Sequence, residues 1–320
     1  MSSEIVPTDP TRSLPAESIK TLLEYQGASI APATLRVYRA GLRDFVGWCE
    51  GMGLPPMPAS PVTVAAYATV LADDGKSVST IEQRMAAIRW AHDAKDLSPP
   101  TASKIVRSTL SGIRRKVGIA PKRQAAPATV ERVTAMLSHV QGDGIKAIRD
   151  RAILLLGFAS AMRRSELVAL QIEDIETRDD GLLLTVRRSK TDQEGAGVTI
   201  AVPRGLSAST CPVQAVSLWI ERAGLETGPL FRSVTRHGHI GDALSARAVS
   251  ELVKGAARKA GFDGDFSGHS LRAGFVTSAA ERGVRAEAIS DHTRHASVEM
   301  VRRYTRKADL FKAHPGEGML

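Results

Sequence analysis

The stretch from Leu182 to Pro203, LLLTVRRSKTDQEGAGVTIAVP, decides the fold class. Its two ends, Leu182 to Lys190 and Val198 to Pro203, are rich in aliphatic and β-branched residues, and the polar Thr191 to Gly197 between them is turn-like. That is the pattern of two strands joined as a hairpin. Outside the stretch the apolar period changes to that of helices. Arg149 to Leu170 reads as one long helix, Cys211 to Ala223 as another, and Ser245 to about Asp309 is helical apart from interruptions near Gly261–Gly268 and at Gly283. A small hairpin among helices makes this half of the chain α+β.

Towards the start, the pattern is helical throughout. Thr34 to Glu50 spaces Leu35, Tyr38, Leu42, Phe45 and Val46 by threes and fours, and Gly51 to Pro58 stops it. Pro61 to Ala72, Thr80 to Ala94 and Ser103 to Val117 repeat the pattern, giving four helices that can close on one core. Gly118 to Thr129 (GIAPKRQAAPAT) is rich in proline, alanine and charge and reads as a linker. The expected division is a polar extension over 1–21, a helical domain over 22–118, a linker over 119–129 and a second domain over 130–320.

The 320 residues suffice for two ordinary domains, and 43% of them are hydrophobic, as in globular proteins. No apolar run approaches the ~20 residues that span a bilayer. Met1 to Thr21 is polar and carries Glu4, Asp9 and Glu17, unlike a secretory or transit sequence. Cys49 and Cys211 are too few for a disulfide framework and lack zinc spacing, so a reducing, cytoplasmic setting is expected. The net charge of +9 favours a polyanionic partner. Between Asp96 and Glu131 there is no acidic residue, whereas Lys104, Arg107, Arg114, Arg115, Lys116, Lys122 and Arg123 all fall there. Such a run reads as a phosphate-contacting surface.

Four pieces of the second half carry the chemistry: Ala161-Met162-Arg163-Arg164-Ser165-Glu166-Leu167, Lys190 at a strand end, His269-Ser270-Leu271-Arg272, and His295 followed by Tyr304. Each alone has a plain structural explanation, such as a solvated helix face or a tyrosine packed in a core. Together they suit phosphoryl transfer. Arg163 and Arg272 stay charged and can grip both non-bridging oxygens of a phosphodiester, in place of a metal. His269 can exchange a proton with the nucleophile, Lys190 can protonate a leaving 5′ oxygen, and Tyr304 can hold the phosphate as an ester that a second hydroxyl reverses. His237, His239, His292 and His295 lack partners at zinc spacing and no glycine-rich phosphate loop occurs, so neither metal nor nucleotide cofactor is expected.

In these boxes the chain resembles the tyrosine recombinase, or phage integrase, family, and within it the Cre-like branch. The family's Gly-x-Arg-x-Ser-Glu-Leu corresponds to Ala161–Leu167, so Arg163 and Glu166 carry over. Its hairpin lysine corresponds to Lys190, its His-x-x-Arg to His269 and Arg272, its Gly-His to Arg294-His295, and its nucleophile to Tyr304. Ala161 and Arg294 stand where the family has glycine. The resemblance implies a mainly α, two-domain DNA clamp, a helical core-binding domain plus a catalytic domain carrying the small sheet. It also implies a homotetramer acting on two double-stranded sites. Arg36, Gln83, Arg84 and Arg247 are the candidates for contacting DNA. The competing readings are a DNA-binding protein that does not cut and a monomeric topoisomerase of the same chemistry.

Overall fold

A computed structural model describes residues 25, 29–119, 125–187, 197–295 and 297–302. The chain divides into two compact units, Met1–Lys122 and Arg123–Leu320. The protein is mostly helical with small antiparallel sheets. Among the described residues no helix is long and apolar enough to cross a membrane.

In the first unit, α1 (Pro32–Gly51), α2 (Pro61–Asp73), α3 (Val78–Asp93) and α4 (Lys104–Val117) enclose one core. Three of the four begin in the same way. Ser60, Ser77 and Ser103 each accept a hydrogen bond from the backbone N–H three residues on, at 3.0, 3.2 and 3.4 Å, which satisfies one orphan donor of each first turn. Phe45, Trp48 and Tyr67 pack as tilted and stacked rings, and the Tyr67 hydroxyl donates to Asp44 at 2.6 Å. Burial first, and then that carboxylate, raise the Tyr67 pKa, so the ring is a structural anchor.

The second unit is built on α6 (Ile145–Ala159), which is buried nearly all round, as Ile148, Leu154 and Leu156 show. Against it lie α5 (Val130–Ser138), α8 (Pro212–Ala223), α9 (Ala246–Lys259) and α10 (Gly268–Glu281), with α11 (Ala286–Thr293) against α10. The expected hairpin is present as β2 (Gly181–Val186) paired antiparallel with β3 (Val198–Pro203), Leu182 opposite Val202 and Leu184 opposite Ile200. A third strand, β1 (Ile175–Thr177), completes that sheet, and a separate pair, β4 (Arg232–Val234) and β5 (Ile240–Ala243), was not foreseen.

One expectation is corrected. Arg149 to Leu170 is not a single helix: α6 ends at Ala159, the chain turns through Ser160–Arg163, and α7 (Arg164–Ala169) starts afresh. The apolar period survives the turn, which is why the break is invisible to it.

Gly274, on α10 two residues after Arg272, has a packing reason. The segment before α5 runs against α10, with the Ala128 N–H donating to Ser270 O at 2.9 Å, and a Cβ on Gly274 would stand 1.8 Å from Ala128 O. Backbone cannot yield as a side-chain tip can. Gly274→Ala is therefore expected to destabilise the second unit by about 3 kcal/mol, the top of the usual overpacking range. Urea denaturation checks this, and an unchanged midpoint would refute it.

Candidate functional site

The turn after α6 builds the site. Ser160 donates its hydroxyl to Leu156 O at 2.6 Å, and the fully buried Ala161 follows with φ of 48°, in the left-handed region. A side chain there costs about 1 kcal/mol, and this is why glycine suits the position better. Two results follow from the turn. The Ala161 carbonyl faces α10, where it accepts from Arg272 Nη1 at 2.9 Å, and Arg163 becomes the residue that caps α7.

Glu166, in the first turn of α7, reaches back over that cap. Its Oε2 accepts from the Arg163 backbone N–H at 3.0 Å and its Oε1 from Arg163 Nη1 at 2.6 Å. The carboxylate thus meets an orphan helix donor and fixes the guanidinium in one motion. The neighbouring Arg164 does something different: its Nη1 donates to Ser250 Oγ at 2.7 Å, tying α7 to α9.

Arg272 lies on α10 and is only 2% exposed. His269, three residues earlier, shares its face of the helix. His269 is exposed as a residue, yet partial desolvation and then the guanidinium groups of Arg272, Arg163 and Arg164 lower its pKa. α11 brings the remaining parts. The Thr293 hydroxyl gives its hydrogen to Ile289 O at 2.6 Å, so it receives one from His295 Nδ1 at 2.5 Å. Burial first, then Arg272, Arg163, His269 and Arg294, push the His295 pKa down to about 4. Both imidazoles are neutral at pH 7, the form that accepts a proton.

α11 is held by His292, whose Nε2 donates to Ala159 O at 3.0 Å while its ring stacks on Phe275 at 4.7 Å. This contact ties α11 to the same turn that positions Arg163. Arg294 caps α11 at φ of 55°, and its Nη2 reaches Glu166 Oε2 at 2.9 Å.

Arg163, Glu166, His269, Arg272 and His295 are thus gathered from α7, α10 and the end of α11. Lys190 and Tyr304 lie outside the described residues. Arg187, ahead of Lys190, is paired with the buried Asp174 at 2.6 Å. Of the DNA-contact candidates, Arg36 and Gln83 are exposed on α1 and α3, and Arg247 is exposed on α9. Arg84 is engaged within its own unit, paired with Asp44 at 3.3 Å and packed over Gly41. Lys104, Arg107, Arg114, Arg115 and Lys116 are all exposed along α4, with Arg114 paired to Glu82. The sequence reading missed His292, Thr293 and Arg294 as parts of the site. The only signal for Arg294 was that it stands where glycine is usual.

Residues 128–310 match the Phage integrase family. An integrase/recombinase xerD homolog of Selenomonas ruminantium is 38% identical over 289 residues, 89% of this chain and 84% of that protein. Recombinase cre of Escherichia phage P1 is 27% identical over 83% of this chain and 82% of that one. Among solved structures, a lambda integrase dimer bound to a COC' core site superposes with a TM-score of 0.59 at 18% identity, over 90% of this chain and 75% of that chain. The Tn1549 transposon integrase in complex with transposon right end DNA gives 0.59 at 17%, over 91% and 96%. At such identities the structures speak for the fold.

Proposed function

The chain belongs to the phage integrase family and is a site-specific tyrosine recombinase, and from that premise we propose that it exchanges DNA strands through a 3′-phosphotyrosyl bond at Tyr304, as a homotetramer on two copies of a specific duplex site. The observation that carries this reading is the meeting of Arg163 and Arg272 at the Ala161 turn, with His269 and His295 beside them.

In this reading the two guanidinium groups hold the non-bridging oxygens of the scissile phosphate, donating bonds that strengthen as charge grows on the in-line transition state. The Tyr304 oxygen forms its bond to phosphorus as the bond from phosphorus to the 5′ oxygen breaks. The tyrosine proton passes to a neutral imidazole, with His269 as the acceptor, and Lys190 supplies a proton to the leaving 5′ oxygen. A 5′ hydroxyl from the partner strand then attacks the ester and returns Tyr304. The bond count is unchanged, so neither nucleotide nor metal is required. Arg36, Gln83, Arg247 and the basic face of α4 contact the duplex, and their phosphate contacts make binding fall steeply with salt.

The test is to incubate the full chain with genomic DNA in EDTA without nucleotide and to recover what becomes covalently attached. SDS-stable, protease-sensitive complexes that share one DNA sequence support the reading. Cleavage that needs magnesium at the chemical step replaces it with a metal-dependent nuclease.

Assembly is proposed to run through the tail. Ala308-Asp309-Leu310-Phe311-Lys312 lies outside the described residues and is too short to be a stable helix alone. The catalytic unit has a cavity of about 450 Å³ lined by apolar side chains including Val133, Leu137, Leu155, Phe158 and Phe275. We place the Leu310-Phe311 pair in that cavity of a neighbouring copy. Changing both to alanine is expected to spare single-site binding, lower two-site cooperativity about tenfold or more, and reduce recombination, since two buried apolar side chains are worth roughly 3–6 kcal/mol. Native gels with one-site and two-site DNA measure it, and unchanged cooperativity would exclude the tail.

A further inference from the structure

Arg294 is an expensive residue to keep where it is. Its side chain is 9% exposed, and its buried Nε and Nη1 meet no hydrogen-bond partner among the described residues. Its backbone lies in the left-handed region, which glycine would occupy without strain. Burying a guanidinium with unmet donors is unfavourable, and burial lowers its pKa, although Glu166 opposes that shift. Among the described residues the side chain of Arg294 pairs with Glu166, and that carboxylate is itself 2% exposed and shared with Arg163.

We infer that Arg294 is a positioning residue for the strand-cleavage reaction: by sharing Glu166 with Arg163, it offsets the buried carboxylate and leaves the charge of Arg163 to the phosphate. The inference rests on the recombinase reading above. Glu166 is needed to fix Arg163, since it holds both the backbone N–H and the guanidinium. A carboxylate so close to Arg163 also cancels its charge, at the place where a phosphodiester must gain negative charge to react. With Arg294, the group of Arg163, Arg272, Arg294 and Glu166 carries a formal charge of +2. With glycine in its place the group carries +1 around the same anion. Beside the buried Glu166 and Arg272, the difference is felt by the transition state more than by the bound DNA.

The experiment uses the full chain and a synthetic duplex bearing the recovered site, nicked next to the cleavage position so that the adduct accumulates. Arg294→Gly relieves the backbone, so its folding is not at risk, and thermal melting verifies this. It is expected to bind the duplex as the wild type does and to form adduct roughly 10- to 100-fold more slowly, less than the loss of a direct oxyanion donor. Adding Glu166→Gln restores the formal +2, and the double variant is expected to regain at least about fivefold over Arg294→Gly. A duplex with an uncharged methylphosphonate at the cleavage position should narrow the gap between Arg294→Gly and wild type. A purely structural role for Arg294 would move neither comparison. An Arg294→Gly rate within about threefold of wild type, or a loss that neither Glu166→Gln nor the methylphosphonate lessens, overturns the inference alone. A wild type that forms no adduct on any DNA overturns the recombinase reading and this inference with it.

Discussion

Tyr304→Phe is expected to bind the recovered DNA site as tightly as the wild type and to form no covalent adduct with it. The substitution removes one oxygen. The ring, with nearly all of its packing surface, remains, so DNA affinity has no reason to change. Chemistry has no substitute for the missing atom, because an ester to phosphorus needs an oxygen that can lose a proton, and water attack would give free ends instead. The loss should exceed about 10⁴-fold, the scale on which removal of a covalent nucleophile is felt in other enzymes. A nicked duplex and a denaturing gel measure it. Adduct bands from the Phe protein would mean that another residue attacks.

Arg272→Lys is the second large effect, with Arg163→Lys beside it. Arg272 is buried and held by the Ala161 carbonyl, so its planar fork presents its remaining donors in a set direction. Lysine keeps the charge but presents a single point, and its shorter head cannot serve the carbonyl and the phosphate together. Cleavage is expected to fall by about 10²–10³-fold for each, the cost of losing one preorganised oxyanion donor, with affinity changed little because most of it comes from phosphates elsewhere on the duplex. The two variants should differ in folding. Arg163 is 21% exposed at a helix start, whereas Arg272 sits in the core, so Arg272→Lys should also lower the melting temperature. Near-wild-type cleavage by both would show that other groups hold the phosphate.

The first unit was legible because its helices announce themselves locally. Ser60, Ser77 and Ser103 cap them and the apolar spacing runs without conflict. In the second unit local rules ran out in two places. Ile175–Thr177 and Arg232–Val234 are three-residue strands, too short to show a period of two, and they exist because β2 and β5 lie beside them. The turn at Ala161 has neither glycine nor proline to mark it, and the apolar period runs straight through. Tertiary contact decides it, with Arg272 bonded to the turn from more than a hundred residues away. The same holds for the site. The boxes named Arg163, Glu166, His269, Arg272 and His295, but only the fold shows that Glu166 serves two arginines and that His292 holds α11 to the end of α6. The two residues standing in place of glycine, Ala161 and Arg294, both prove to have positive φ. What looked like departures in a pattern are positions where the backbone turns the catalytic side chains inward.

Mapping the bond itself decides whether Tyr304 carries the DNA. Wild-type protein trapped on a nicked site in EDTA is digested with nuclease and protease, and the modified peptide is identified by mass spectrometry. The expected result is a single nucleotide phosphate on the peptide containing Tyr304, linked through the 3′ end of the DNA, with a free 5′ hydroxyl on the released strand. A modification on any other residue, a 5′ linkage, or cleaved DNA with no attached peptide would contradict it.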